Sequence, residues 1–149
     1  MLIIKEARTI LNGSLLEELK NFKLSNPDFS FILDTTRNLL EINKDFIDIE
    51  KEMQTENFDN PAVIYSLVLR LRGLYMIDCI LKNKSYLNKN FKRFAVKIGI
   101  KNFNLLYKIY RYERDNKKLD KTHVSMEDIN RLYLLVKNET EKKSAKINR

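Results

Sequence analysis

Glycine and proline are so scarce in this chain that few tight turns are open to it: three glycines and two prolines occur in 149 residues. Hairpin turns depend on residues that adopt positive or preset φ angles, and glycine and proline are the main source of them. Leu, Ile, Lys and Glu, which are compatible with helices, are plentiful instead. The sequence therefore predicts an all-α fold, an up-and-down helical bundle of five to six helices.

Length and composition favour one helical domain. A chain of 149 residues with 44% hydrophobic content can bury one core without disulfides. We expect this domain to span residues 1–138, since no internal repeat or second domain is visible. From residue 139 onward the sequence ETEKKSAKINR loses its apolar periodicity. Residues 139–149 are therefore predicted to form a basic, disordered tail.

Helix starts are marked by two kinds of signal. A Ser followed three residues later by an acid has capping-box spacing, and proline suits the first helical position because its missing amide would have no partner there. The capping boxes are Ser14 with Glu17 and Ser125 with Asp128, and the proline signals are Asn26–Pro27 and Asn60–Pro61. The segment Leu2–Leu11 is compatible with either a helix or a strand.

Apolar spacing then sets the extent of each predicted helix. A long amphipathic helix is expected over residues 28–54, and its recurring inward positions are Ile32, Leu33, Thr36, Leu39, Leu40, Phe46, Ile47 and Ile49. The next, over residues 61–82, is apolar on nearly every side, as the central helix of a bundle should be.

Three shorter helices are predicted after it. The first has Leu87, Phe91, Phe94, Ala95 and Ile98 on one face, and Gly99 supplies the left-handed residue at its end. The second is expected over residues 102–118. The last follows Ser125, and its inward positions are Ile129, Leu132, Tyr133, Leu135 and Val136.

Positive charge is concentrated in one part of the chain. Residues 84–121 hold twelve Lys and Arg against three Asp and Glu, whereas residues 1–60 hold seven against twelve. Such a basic segment is expected for a phosphate-bearing or acidic partner. Abundant lysine on solvated faces would produce part of the same excess, and both interpretations stay open.

One stripe of that segment combines cations with an aromatic ring. Tyr107, Arg111, Arg114 and Lys118 recur at helical spacing and are expected to share one face, with Leu105, Leu106, Ile109 and Tyr112 on the core side. Guanidinium groups bind phosphate in bidentate fashion and tyrosine stacks on bases, which suits RNA or a nucleotide. The alternative is an ordinary amphipathic helix whose Arg residues pair with neighbouring acids.

The predicted central helix carries charges that an enclosed helix must neutralise. Arg70 and Arg72 each need a carboxylate or a ligand anion if they are buried. Asp78 is expected to meet Arg111 or Arg114, and Arg70 to meet Asp34, Glu41 or a ligand phosphate. These residues form either a structural network of ion pairs or an anion site.

Several other classes of protein are disfavoured. Cys79 is the single cysteine and His123 the single histidine, so zinc clusters and nucleophilic triads lack their parts, and no metal or cofactor is expected. No Gly-rich phosphate loop and no signal peptide are recognised. Charges interrupt the longest apolar run, which argues against a membrane span. A cytoplasmic protein is expected.

The runs LRLRGLYMIDCILKNKSY, FKRFAVKIGI and YKIYRYERDN, followed by VSMEDINRLYLLV, resemble the helical domains of the HEPN superfamily, particularly those associated with minimal nucleotidyltransferases. The resemblance covers about residues 60–137. It implies an up-and-down bundle that often dimerises, has a nucleotidyltransferase as partner and plays a role related to RNA or nucleotides.

Active members of that superfamily carry Arg, a polar residue, four to six further residues and then His, and they cut RNA without metal. Arg114 and Asp115 match the start of this motif, but the next histidine is His123, beyond the family spacing. The resemblance therefore implies a domain without catalysis.

Three functions follow from these patterns. The first is a non-catalytic HEPN-like accessory domain that binds a nucleotidyltransferase partner or a phosphate. The second is a general RNA- or DNA-binding helical protein, and the third is a divergent ribonuclease that uses Arg114 and His123. The predicted phosphate-binding residues are Tyr107, Arg111, Arg114, Lys118, Arg70 and Arg72. A homodimer is a further expectation, because the acidic first part of one copy can attract the basic part of another.

Overall fold

The computed structural model describes residues 23–54, 56–119 and 123–147. Five α-helices lie within these ranges: α1 Ser30–Glu52, α2 Pro61–Leu81, α3 Asn88–Lys97, α4 Phe103–Arg114 and α5 Met126–Ser144. A 3-10 turn over Asn26–Phe29 leads into α1. The prediction of a predominantly helical chain is confirmed. The start signal at Ser14 and the ambiguous segment Leu2–Leu11 lie outside the described residues.

Two very short strands join the starts of two helices. β1 (Asn57–Phe58) precedes α2, and β2 (Val124–Ser125) precedes α5. They pair antiparallel, with Phe58 opposite Val124. Both of these residues are buried. The pairing therefore holds the N-terminal ends of α2 and α5 together.

Helix α2 is the centre of the bundle. It packs against α1, α4 and α5, while α1 also packs against α5, and α3 packs against α4. Leu67, Val68 and Leu71 in the middle of α2 have no exposed surface. A helix that contacts neighbours on several sides must be apolar around most of its circumference. The prediction of a central helix over residues 61–82 is confirmed to within one residue at its end.

Two of the predicted start signals in the described part of the chain cap an α-helix as expected, whereas Asn26–Pro27 lies in a 3-10 turn before α1. The Asn60 side chain accepts a hydrogen bond from the Val63 amide at 3.2 Å. The Ser125 hydroxyl accepts one from the Asp128 amide at 3.1 Å. Each cap satisfies an amide that has no partner within its helix and contributes about 1 kcal/mol. Near Pro27, the capping residue is Ser25, which forms a capping box with Asp28.

Three helices end in the same way, with one residue at positive φ. Asn83 follows α2, Gly99 follows α3 and Asn116 follows α4. In each case the next amide bonds to the carbonyl five residues earlier, as in the bond from Ile100 to the Ala95 carbonyl at 3.2 Å. This is the Schellman geometry, which glycine and asparagine tolerate best. The predicted role of Gly99 is confirmed.

The last helix is longer than the sequence predicts. Order was expected to end at residue 138, but α5 continues to Ser144. Thr140, Lys143 and Ser144 are buried on this extension. The two hydroxyl groups donate to carbonyls one turn earlier in the helix. Residues 139–144 are therefore helical and not disordered as predicted; their inward residues are polar and interrupt the apolar pattern on which the prediction relied.

Lys143 is buried because it has a partner on the central helix. Its ammonium lies 2.6 Å from the Asp78 carboxylate, and the Lys143 side chain is 8% exposed. This contact corrects the prediction that Asp78 meets Arg111 or Arg114. The ion pair joins the end of α5 to the end of α2.

Helix α1 has apolar residues on two faces. The face toward the core comprises Leu33, Thr36, Leu40, Asn43 and Ile47. Ile32, Phe46 and Ile49, which were predicted to point inward, are exposed. The combined apolar pattern fits a helix, but it does not distinguish which of two adjacent faces meets the core. Leu87, which was predicted to lie on the inner face of the next helix, immediately precedes α3 and is exposed.

None of the described helices is long and apolar enough to cross a bilayer.

Removal of the Asp78 carboxylate tests the buried ion pair. We expect Asp78→Ala to lower the free energy of unfolding by about 3 kcal/mol, because the Lys143 ammonium is left buried without a counter-charge. Urea denaturation followed by circular dichroism measures the loss. The matched control is Asp34→Ala, which breaks an exposed pair with Arg37 and should cost less than about 1 kcal/mol. Equal losses in the two variants would contradict a stabilising role for the buried pair.

Candidate functional site

A basic cleft lies along the outer side of α4. It is bordered by α3 and by the turn that follows α4, and its volume is about 270 Å³. The lining residues are Lys92, Asn104, Tyr107, Lys108, Arg111, Tyr112, Asp115 and Lys117. Four of these side chains are cationic and one is a carboxylate. Within the described part of the chain, this is a concave surface with a clear excess of positive charge.

The geometry of α4 explains why these residues meet. Asn104, Lys108, Arg111 and Asp115 are spaced at helical intervals and share one face. The helix ends at Arg114, four residues before the predicted end, because Asn116 adopts a φ of 49°. The Lys117 amide then bonds to the Tyr112 carbonyl at 2.9 Å. This turn brings Lys117 back to the cleft.

The Asp115 carboxylate is already engaged by a neighbouring cation. The Arg114 Nε donates to Asp115 Oδ1 at 2.8 Å. That hydrogen bond is the main reason why the pKa of Asp115 lies below its ordinary value. Arg111 and Lys117, by contrast, make no ion pair with any carboxylate that the structure describes. The cleft therefore keeps net positive charge.

The two tyrosines of the cleft exchange the roles that the sequence predicts. Tyr107 was expected on the exposed basic stripe, but it is buried, while Tyr112 was expected on the core side and is partly exposed. Lys92 lies over the Tyr107 ring, with its ammonium 4.6 Å from the ring centroid. Lys108 lies 5.7 Å from the centroid of Tyr112. Tyr112 is thus the ring that a ligand can reach.

The predicted stripe is only partly present. Arg111 and Arg114 are exposed on α4, but Lys118 lies beyond the helix end and is not one of the residues that line the cleft. Sequence analysis missed Lys92, Lys108 and Lys117. Lys108 shares the spacing of Arg111 and was detectable in principle. Lys92 comes from another helix, and Lys117 depends on the turn, so neither follows from periodicity.

Arg72 lies behind the cleft and contacts phenols. Its Nε donates to the Tyr86 hydroxyl and its Nη1 to the Tyr110 hydroxyl, each at 3.0 Å. The guanidinium also stands 5.1 Å from the centroid of the Tyr86 ring. Burial lowers the pKa of Arg72, but the interactions with the two phenols outweigh it and raise that pKa. The group therefore stays charged without a carboxylate partner in the described part of the chain.

A chain of hydrogen bonds connects Arg72 to the cleft wall. The Tyr86 hydroxyl donates to Asn88 Oδ1 at 2.8 Å. The Tyr107 hydroxyl donates to the same oxygen at 3.3 Å. Asn88 thus links the ring of Tyr107 to Tyr86 and Arg72. Arg72 is thus connected to the cleft by hydrogen bonds but is not one of its lining groups.

Arg70 does not have the carboxylate partner that the sequence predicts. Asp34 pairs with Arg37 instead, and no bond joins Arg70 to Glu41. The Nε of Arg70 is buried and makes no hydrogen bond within the described part of the chain. Arg70 and Arg72 are only two residues apart, yet the structure places neither of them in the cleft.

The two candidate ribonuclease residues are not joined by any contact. Arg114 is in the last turn of α4, with its guanidinium 6.0 Å from the Tyr110 ring centroid. His123 is exposed and immediately precedes β2. Within the described ranges, no hydrogen bond or ion pair connects them, and no group of three or more His, Cys, Asp and Glu is arranged to hold a metal ion.

Comparison with protein-family models, with curated proteins and with solved structures finds no match to this chain.

Alkaline pH should destabilise the fold through three phenols that folding removes wholly or partly from water. Burial is the main cause that raises the pKa of Tyr75, Tyr86 and Tyr133. A raised pKa in the folded state means that folding favours the neutral phenol. The contribution of these neutral phenols to the free energy of unfolding is fully present below the ordinary tyrosine pKa of about 10. It is lost as the pH rises through their raised pKa values in the folded state.

Thermal unfolding measured over a pH series tests this expectation. The melting temperature of Tyr86→Phe should fall less steeply above a pH of about 10 than that of the wild type. Tyr112→Phe is the control, since its hydroxyl makes no hydrogen bond with a described residue, and it should follow the wild-type curve. Identical slopes for all three chains would show that Tyr86 does not contribute.

Proposed function

We propose that this protein binds single-stranded RNA without cutting it, through the backbone phosphates, in the basic cleft of α3 and α4. One observation carries the proposal. Lys92, Lys108, Arg111 and Lys117 converge on one cleft whose single carboxylate, Asp115, is held by Arg114. Such unbalanced positive charge on a concave surface favours a polyanion.

The aromatic ring in the cleft favours a single strand over a duplex. Tyr112 is partly exposed beside Lys108 and Arg111. Proteins that bind single strands combine a positive groove with aromatic rings on which bases stack. A duplex keeps its bases stacked inside, so it offers only phosphates to such a site. The combination of ring and cations therefore supports a single-stranded ligand.

Cations outside the cleft support a polymer over a mononucleotide. Lys89, Arg93 and Lys97 are exposed on α3, and Lys118 is exposed after α4. A mononucleotide would occupy the cleft and leave these groups without a role. A longer strand contacts them in turn, and each phosphate contact adds to the affinity.

The absence of cutting rests on the separate positions of Arg114 and His123. A general acid or base must come within hydrogen-bond reach of the group that it serves. Arg114 is engaged with Asp115, and His123 has no bond to it in the described ranges. The nucleotidyltransferase partner implied by the HEPN resemblance stays a prediction.

A titration of labelled single-stranded RNA with the purified chain at two salt concentrations, without divalent metal, tests the proposal. We expect weak binding, with a dissociation constant on the order of 10⁻⁴ to 10⁻⁶ M, that falls steeply as salt rises. The double variant Arg111→Ala, Lys117→Ala should bind more weakly. Its plot of log affinity against log salt concentration should be less steep, by the amount expected for the loss of about two phosphate contacts. Fluorescence anisotropy measures the affinity, and a denaturing gel follows the integrity of the RNA.

The matched control is Lys137→Ala, Lys142→Ala, which removes the same charge from the exposed surface of α5. It should change the salt slope far less. Equal weakening by both double variants would mean that net charge alone drives binding, and the cleft would lose its role. RNA cleavage that disappears in His123→Ala would establish the ribonuclease instead.

A further inference from the structure

The outward side of α1, together with the residue after its end, carries a regular row of mainly apolar residues, which we call the outer seam. It consists of Ile32, Thr35, Leu39, Ile42, Phe46, Ile49 and Met53. Spacings of three and four residues alternate along it without interruption. Five of its members have between 42% and 68% of their surface exposed, namely Ile32, Ile42, Phe46, Ile49 and Met53. Phe31, beside its first position, is 80% exposed.

This row has the pattern of a helix–helix contact. Alternation of three and four residues is the heptad spacing by which one helix packs against another. The core face of α1 follows the same rule at Leu33, Thr36, Leu40, Asn43 and Ile47. Isolated exposed apolar residues are ordinary, but a continuous row along a whole helix marks a surface that something covers.

We propose that residues 1–22 of the same chain cover the outer seam. The place where this segment joins the described structure supports the proposal. Lys23 leads through Ser25 into the 3-10 turn Asn26–Phe29, directly before α1. Leu24 already packs against the core. Residues 1–22 are therefore attached at one end of the seam and reach the rest of it by running antiparallel to α1.

The length of the segment is sufficient. Helix α1 contains 23 residues and is about 35 Å long at 1.5 Å per residue. A segment of 22 residues spans about 33 Å as a helix and more if it is extended. It also has apolar side chains along its whole length. They are Leu2, Ile3, Ile4, Ala7, Ile10, Leu11, Leu15, Leu16, Leu19 and Phe22.

Charge complementarity supports the same antiparallel direction. Asp45 and Glu52 are exposed beside the second half of the seam, each one residue before a seam position. An antiparallel segment places its own beginning there, and that beginning carries Lys5 and Arg8. Basic groups next to these two acids favour this pairing.

A second copy of α1 fits the seam less well. Its charges beside the seam are the same Asp45 and Glu52, so two copies bring like charges to one interface. Arg37, Lys44 and Lys51 of α1 lie farther round the helix, past its core face. Like charges at an interface oppose association. The observations thus favour residues 1–22 over a homodimer at this surface.

Hydroxyl-radical footprinting of the full chain tests the proposal. Each oxidation rate is divided by the intrinsic reactivity of its side chain. In the wild type we expect the corrected rates of Phe46 and Met53 to be several-fold lower than that of Leu134, an exposed apolar residue of α5. In the double variant Ile4→Asp, Leu15→Asp, we expect the oxidation rates of Phe46 and Met53 to rise several-fold. The matched control Asn12→Asp, Asn21→Asp adds the same charge at polar positions of the same segment and should keep the protection.

Three footprinting results would overturn the proposal. If Phe46 and Met53 are oxidised as fast as Leu134 in the wild type, nothing covers the seam. Protection that is lost on dilution, with a dimer in sedimentation experiments, would assign the seam to a second copy. Protection that survives in Ile4→Asp, Leu15→Asp would assign it to another part of the molecule.

Carbodiimide cross-linking of the wild-type chain gives a test that needs no substitution. We expect coupling of Lys5 to Asp45 or Glu52 within one chain. A mixture of isotopically labelled and unlabelled protein distinguishes this product from a link between copies. Coupling of Lys5 only to carboxylates of other helices, or only between copies, would contradict the proposed path of residues 1–22.

Discussion

Enclosure of α2 is the constraint on which the rest of the fold depends. A helix in contact with α1, α4 and α5 must be apolar around most of its surface, and two of its charged residues, Asp78 and Arg72, have specific partners outside it. Asp78 meets Lys143 and thereby keeps the last turns of α5 on the bundle. Arg72 meets Tyr86 and Tyr110 and thereby connects α2 with α4. Two charged residues of the central helix thus form specific contacts with α4 and α5.

The phenols around Arg72 connect the core to the candidate site. Hydrogen bonds through Tyr86 and Asn88 lead from the guanidinium to Tyr107, whose ring forms the floor under Lys92. An aromatic ring attracts the lysine ammonium and holds it at a defined place, but the ring does not neutralise the charge. The cleft therefore places cations around a ring that hydrogen bonds connect to Arg72. This arrangement supports the proposed recognition of phosphate by charge and shape.

Helix α1 shows how one sequence pattern serves two surfaces. Its apolar positions form two adjacent rows, each with heptad spacing, and only one row meets the core. Periodicity indicated a helix here but did not choose between the rows. The row that meets the core includes Asn43, which is buried and donates to Ser66 of α2 at 3.0 Å. A polar residue at the centre of a contact is not recognisable as buried until its partner is known.

Local signals in the sequence determined the helical class of the described chain, the starts of α2 and α5, and the end of α3 at Gly99. These features depend on neighbours a few residues apart, such as Asn60 with Val63 or Ser125 with Asp128, so the sequence contains them directly. The tertiary structure alone decided the burial of Tyr107, the exposure of Tyr112, the pairing of Asp78 with Lys143 and the convergence of Lys92 with Arg111. Each of these depends on residues from different helices, or on the exact turn where a helix ends, and helical periodicity carries no information about either.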